Sequence, residues 1–192
     1  VIENKIKNEF NLNSSINGKI KYKFFPYPHL EIKSLLIKDF VDENKNLGEV
    51  EKAILRISVK KLTSLKKMKL KKLKLQDIQA SLNLSRFDKY REFFLNNFES
   101  KNIYISSGKI ILFDKKEYLT ELNNINFEYN SDDKIEKAIL KAKFLDQNFV
   151  IKFKNKKDGN LSRILTIKFP YSKFIAKVKS GRGLSDFYRD YR

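Results

Sequence analysis

The sequence predicts a mainly β chain with a minor helical part: an elongated, curved antiparallel sheet with an open apolar groove and two or three short helices. Three observations carry that reading. Apolar and polar residues alternate over about ten short stretches, the period of a strand with one wet face. The segments between these stretches are short and polar. Few helices are at hand to cover the apolar face that so many strands share, so the sheet either closes on itself or leaves a trough. A strand content above roughly 45% follows, against a globular average of about 20–25%.

The elements follow in order along the chain. Ile2, Ile6 and Phe10 are four apart, which predicts an amphipathic helix over 2–10. After the Asn17-Gly18 turn, Ile20, Tyr22 and Phe24 alternate with Lys19, Lys21 and Lys23. Leu30 and Ile32 follow, and after the polar loop 42–46 come Ala53, Leu55, Ile57 and Val59 against Lys52, Arg56 and Lys60. Thr63 to Lys67 reads as one short turn. Leu73 and Leu75 alternate with lysines, the phase slips by one residue at Gln76-Asp77, and it resumes as Ile78, Ala80, Leu82 and Leu84. Such a slip is the mark of a β-bulge. Phe87, Tyr90, Phe94 and Phe98 form a helical stripe over 86–98, with Ser85 as its N-cap and Asp88 three residues on. The remaining strands centre on Ile103–Phe113, Ile125–Tyr129, Ala138–Phe144, Phe149–Phe153, Leu165–Phe169 and Phe174–Val178. The two flanking Asp158-Gly159 make a hairpin.

Composition bounds the function. The chain has 192 residues, with one domain over 1–180 and an Arg- and aromatic-rich tail over 181–192 that reads as a frayed end. With no Cys there is no disulfide framework, thiolate zinc site or Cys nucleophile. The single His, His29, makes a His-rich metal site impossible, argues against a Ser-His-Asp triad, and reads as a rim residue. The Gly residues are scattered, with no phosphate-cradling loop, and Asp132-Asp133 reads as a solvated turn. No catalytic residue, cofactor or metal is expected. No run of 18 apolar residues exists to span a bilayer. The chain begins at Val1 without Met, as a fragment or processed form would. The net charge is +18, yet only seven of the 41 basic residues are Arg. Nucleic-acid readers lean on Arg, so most of these lysines read as solvated faces with a diffuse attraction for anionic surfaces.

One stretch carries more than composition. Residues 16–32, Ile-Asn-Gly-Lys-Ile-Lys-Tyr-Lys-Phe-Phe-Pro-Tyr-Pro-His-Leu-Glu-Ile, resemble the N-terminal segment of the AsmA family: a Gly, a short alternating strand, an aromatic before Pro, then a second strand. The order that follows is also similar, with a strand at 53–59, a Leu-rich turn at 62–65 and strands to residue 84. The high Lys content departs from the family pattern, and the family's upstream transmembrane helix and long remainder are not in this chain. The resemblance implies a protein at the periplasmic face of a Gram-negative-type inner membrane, held by an upstream anchor. It also implies an apolar β-groove, phospholipid as the partner, and a part in phospholipid transport and outer-membrane homeostasis. It supplies no catalytic residues. The groove candidates are Ala53, Leu55, Ile57, Val59, Ile78, Ala80, Leu82, Leu84, Ile125 and Phe127. The rival readings are a basic β domain that binds nucleic acid and a structural module for outer-membrane protein assembly; no specific nucleic-acid partner is expected.

Overall fold

The computed structural model describes residues 1–40, 42, 44–58, 69–90, 102–156, 162–170, 174–181 and 184–191, with side chains up to 156 and for 164–170. Helix α1 (Ile2–Phe10) forms where the four-residue spacing places it, and Asn11 closes it in the left-handed conformation with φ 52°. Its Ile6 and Phe10 are buried. The Glu3 carboxylate accepts a hydrogen bond from the Ile16 backbone N–H at 2.7 Å, which ties the helix to the first strand.

Twelve strands follow in one sheet: β1 (Ser14–Ile16), β2 (Ile20–Lys23), β3 (His29–Lys38), β4 (Asn46–Ile57), β5 (Leu70–Asn83), β6 (Asn102–Asp114), β7 (Glu117–Ser131), β8 (Ile135–Phe144), β9 (Gln147–Lys156), β10 (Ser162–Phe169), β11 (Phe174–Gly181) and β12 (Leu184–Tyr191). More than half of the chain is strand. From β3 to β12 the spatial order is the chain order. β1 and β2 lie end to end along the outer side of β3, pairing with its two halves. Gly18 stands at the break between them, where an added Cβ would sit 2.1 Å from the Lys33 carbonyl oxygen, so only glycine fits. Among the described residues the two outer strands do not pair with each other, and the sheet is open.

Four details depart from the sequence reading. The tail forms β12, paired with β11 over its whole length. β5 and β6 are parallel, the one such pair among otherwise antiparallel neighbours. A parallel pair needs a connection that returns the chain to the same end of the sheet. This one begins with a 3-10 helix, Leu84–Arg86, and a helical turn at 87–90. The cap of that connection is Asn83 rather than Ser85: its side-chain oxygen accepts the Ser85 N–H at 3.1 Å. His29 is buried at the start of β3, its Nδ1 2.8 Å from the Tyr27 carbonyl oxygen, and is not a rim residue. Phe94, Phe98 and the turn at 63–67 lie outside the described residues.

The phase slip foreseen in β5 is one part of a larger feature. Asp77 has φ 54°, but the register with β4 runs unbroken past it, Lys52 opposite Gln76 and Val50 opposite Ile78. The expected one-sided bulge is absent because β4 changes phase at the same place. In five successive strands two outward residues separate two inward ones: Ile32/Leu35, Val50/Ala53, Leu75/Ile78, Ile105/Gly108 and Leu122/Ile125. Ser34, Asp77, Ser107 and Asn124, each the second outward residue of its strand, all have φ between 52° and 58°. A left-handed residue turns the strand and presents the next side chain to the same face as the one before the pair. Since the positions are in register from β3 to β6 and displaced by one pair in β7, they draw a fold line across the sheet. Inward residues from both sides of that line, such as Ile105 and Ile110, pack into one cluster with Ile125, which puts the apolar face on the inside of the bend.

Candidate functional site

Cross-strand partners share a face, so the register lists what the inside of the bend presents. One row runs from Leu30 through Leu55, Leu73 and Ile103 to Tyr129. It continues through Ala138 and Phe153 to Leu165. A second runs from Ile32 through Ala53 and Leu75 to Ile105, then Phe127, Leu140, Ile151 and Ile167. Neither row contains a charged residue from β3 to β10.

The cover over these rows changes midway. From β3 to β5 both are buried, and the first stays so through Ile103 and Tyr129: α1 lays Ile6 and Phe10 into the same core, and Tyr90 joins from the connection. The Tyr90 hydroxyl donates to the Asp39 carboxylate at 3.2 Å. Burial, with the Asp39 charge and hydrogen bond adding to it, holds the Tyr90 phenol above its usual range. From β7 onward Phe127, Ala138, Leu140, Ile151, Phe153, Leu165 and Ile167 are only half-buried. Phe149 and Phe169 pack ring to ring there, centroids 5.8 Å apart. Beyond the Tyr129–Ala138–Phe153 row the next inward positions turn polar. Glu136 accepts from the Tyr129 hydroxyl at 2.7 Å and from Asn155 Nδ2 at 3.1 Å, and Ser131 lies opposite Glu136. The open apolar strip is thus bounded along one side by a hydrogen-bonded polar margin.

The other face is basic. Arg56 and Lys141 are exposed and Lys52 and Lys143 half-exposed, as the alternation predicts; Lys60 lies outside the described residues. Glu31, itself nearly buried on this face, binds Lys23 Nζ at 2.9 Å and Lys52 Nζ at 3.3 Å. The Lys23 hydrogen bond leads in holding its carboxyl below the usual range, against the opposing effect of burial. Tyr27, His29, Arg56, Lys72 and Lys74 line a shallow concavity, with the Arg56 guanidinium 4.0 Å over the Tyr27 ring and Lys72 Nζ 3.5 Å over that of Tyr104. Among the described residues no cluster of three or more His, Asp or Glu could hold a metal ion, and no helix is long and apolar enough to cross a membrane.

The groove candidates divide. Ala53, Leu55 and Ile57 do point to the apolar face, but at 0–2% exposure they form the closed core beneath the helices and offer no surface to a ligand. Ile78, Ala80 and Ile125 are buried at the fold line. Leu82 and Phe127 are half-buried, and of the candidates among the described residues Phe127 alone lies on the open strip. Leu84 is a correction: the Asn83 cap ends the strand before it, and Leu84 sits exposed in the 3-10 helix. Val59 lies outside the described residues. The open strip itself, Leu140, Ile151, Phe153, Leu165 and Ile167, was readable as alternation. Its exposure was not, because that depends on where the covering helices stop. A mainly β, mostly antiparallel open sheet with one apolar and one basic face is the class these features define. No protein-family model matches the chain, and no curated protein sequence matches it.

Proposed function

We propose that this chain binds acyl chains of a phospholipid or similar amphiphile along the open strip of β7–β10, in a non-enzymatic carrier or scaffold role. The observation that carries this reading is that the apolar rows run without a charge across eight strands, buried at their β3–β5 end and as far as Ile103 and Tyr129 in the first row, but only half-buried from β8 to β10. A half-exposed strip of this kind is costly in water, at about 25 cal/mol for each Å² of apolar surface, and an acyl chain laid along it removes that cost. The polar margin of Ser131, Glu136 and Asn155 suits the boundary between chain and headgroup. The resemblance of residues 16–84 to the AsmA family points the same way, and with it to phospholipid movement and outer-membrane homeostasis at the periplasmic face of an inner membrane.

The test is uptake of a fluorescent fatty acid or phospholipid by the purified chain, compared between Ile151→Asp and Leu55→Asp. Ile151→Asp is expected to keep the melting temperature within a few degrees and to weaken uptake about tenfold or more. A charge at half-buried Ile151 stays hydrated when the strip is empty but is desolvated by a bound chain. Uptake unchanged in a folded Ile151→Asp, or none by the wild type, sinks the reading. DNA binding with a steep salt dependence and no lipid uptake would favour the nucleic-acid alternative.

A further inference from the structure

The edge strand ends in aromatic side chains that the fold leaves in water. Ile20 and Tyr22 share the inward phase, opposite Ile32 and Leu30, and so continue the apolar rows to the margin of the sheet. Phe24 follows in the same phase, its ring edge-on to Tyr22 with centroids 4.5 Å apart. Yet Phe24 is 72% exposed and Phe25, at the tip, 87%. Tyr27 is exposed as well, on the other side of the turn. Scattered exposed apolar residues need no explanation, but four aromatics in six residues at one projecting turn form a patch. Around them the charge has one sign over most of the surface: Lys19, Lys21 and Lys23 alternate with the apolar residues, and Arg56, Lys72 and Lys74 line the adjoining concavity.

We propose that this β2–β3 turn is a bilayer-docking element, which seats Phe24 and Phe25 at the headgroup–acyl boundary of an anionic leaflet while Lys19 and Lys21 face the headgroups. Rings flanked by lysine are the composition that partitions to a membrane interface, because the rings leave water and the ammonium groups stay in it. Charge complementarity selects the leaflet, because each lysine near an anionic surface adds to the attraction. A nucleic acid would complement the charge and could stack bases on rings, but Phe24 lies in the apolar phase, on the opposite face from the concavity of Arg56, Lys72 and Lys74, so a strand tracking those charges would not meet it. The inference deepens the acyl-chain reading and takes its purpose from it. Docked by this turn, the sheet meets the bilayer at its N-terminal edge and holds the open strip of β7–β10 away from the leaflet.

The chain has no Trp, so one Trp placed at the tip reports by itself. Phe25→Trp is mixed with vesicles of phosphatidylcholine and phosphatidylglycerol, with bromine on the acyl chains in a parallel set. Tyr118→Trp, at the exposed β6–β7 turn on the opposite end of the strands, is the control for simple adsorption of a basic protein. The expected result is a blue shift and bromine quenching for Phe25→Trp that survives high salt, and neither for Tyr118→Trp. The double variant Phe24→Ser/Phe25→Ser should lower partitioning about tenfold or more with its circular dichroism unchanged, since it removes two interfacial rings. No quenching at the tip, equal quenching at both positions, or undiminished partitioning of a folded double variant overturns the proposal. Failure of the acyl-chain reading shows separately, in uptake of the fluorescent fatty acid without vesicles. Quenching at the tip in a chain that takes up no fatty acid leaves the docking element standing and removes the groove.

Discussion

Gly108 sits where β6 crosses the fold line, and a Cβ there would lie 3.0 Å from both Ile125 Cβ and Ile78 Cγ2. Those neighbours belong to the two flanking strands and are held by the sheet register, so they have little room to yield. Gly108→Val is therefore expected to cost about 1–3 kcal/mol by overpacking, read as a lower denaturant midpoint at unchanged slope. Leu55, wholly buried under α1, gives the opposite failure. Leu55→Ala should cost about 2–5 kcal/mol through the cavity it leaves, and Leu55→Asp should abolish the folded state by burying an unpaired charge. On the basic face Glu31 supplies a pH signature. Its folded carboxyl titrates below its unfolded value, so its contribution is complete at neutral pH. That contribution fades as the pH falls below the ordinary carboxylate range and through the lower folded value. Glu31→Gln should flatten the melting temperature over that acid window relative to the wild type, and an unchanged slope would show that the Lys23 and Lys52 contacts add nothing to stability.

At the scale of the element, strands were legible because a period of two survives in sequence wherever one face is wet. β2 to β11 show it. β1 is three residues of Ser-Ser-Ile with no room for a period, and β12 reads as a tail because its aromatics and arginines resemble a terminus more than a strand. Leu84 shows how far alternation can be over-extended: the phase still fits, but one Asn side chain at position 83 redirects the backbone. The fold line was half legible. Leu75-Gln76-Asp77-Ile78 stands out in the sequence as a slip, and the same pattern of two apolar residues separated by two polar ones recurs in four other strands. Each is weak taken singly, and only register shows that they coincide. The element carries its own prediction. Asp77→Gly relieves a left-handed backbone and Asp77→Val opposes it, so the glycine variant should be at least as stable as wild type. The valine variant should lose about 1–3 kcal/mol, measured by chemical denaturation.

Over the whole molecule, pairing between β5 and β6 could not be read from the sequence. Local alternation says which face a strand buries but not which neighbour it chooses, and the same alternation throughout predicted an antiparallel sheet. The candidate site suffered the same way. The sequence marks apolar phase, whereas a binding surface depends on where α1 and the 84–90 connection cease to cover it. One measurement addresses both. Amide hydrogen exchange should be slowest in β3–β5, where both the sheet and α1 protect the ladder, and faster in β8–β10, where the apolar face is only half-buried. Uniform protection across the sheet would mean that the strip is covered.

The lone parallel junction also orders events in time. Every other pair of neighbours from β3 to β12 is antiparallel and consecutive in the chain, an arrangement that lets each pair form locally. β5 ends at Asn83 and its parallel partner β6 begins at Asn102, so their pairing closes a long loop in sequence. Loop closure of that kind is slow relative to hairpin formation. The expectation is two folding units, β1–β5 with α1 and the meander from β6 onward, with their docking as the late step. Until it occurs, each unit carries a raw edge of unpaired N–H and C=O groups flanked by Leu73 and Leu75 or by Ile103 and Ile105, an adhesive surface for another copy of the same half. Exchange of halves between two chains is accordingly the misassembly this architecture is most exposed to, and dilute refolding is the condition that avoids it.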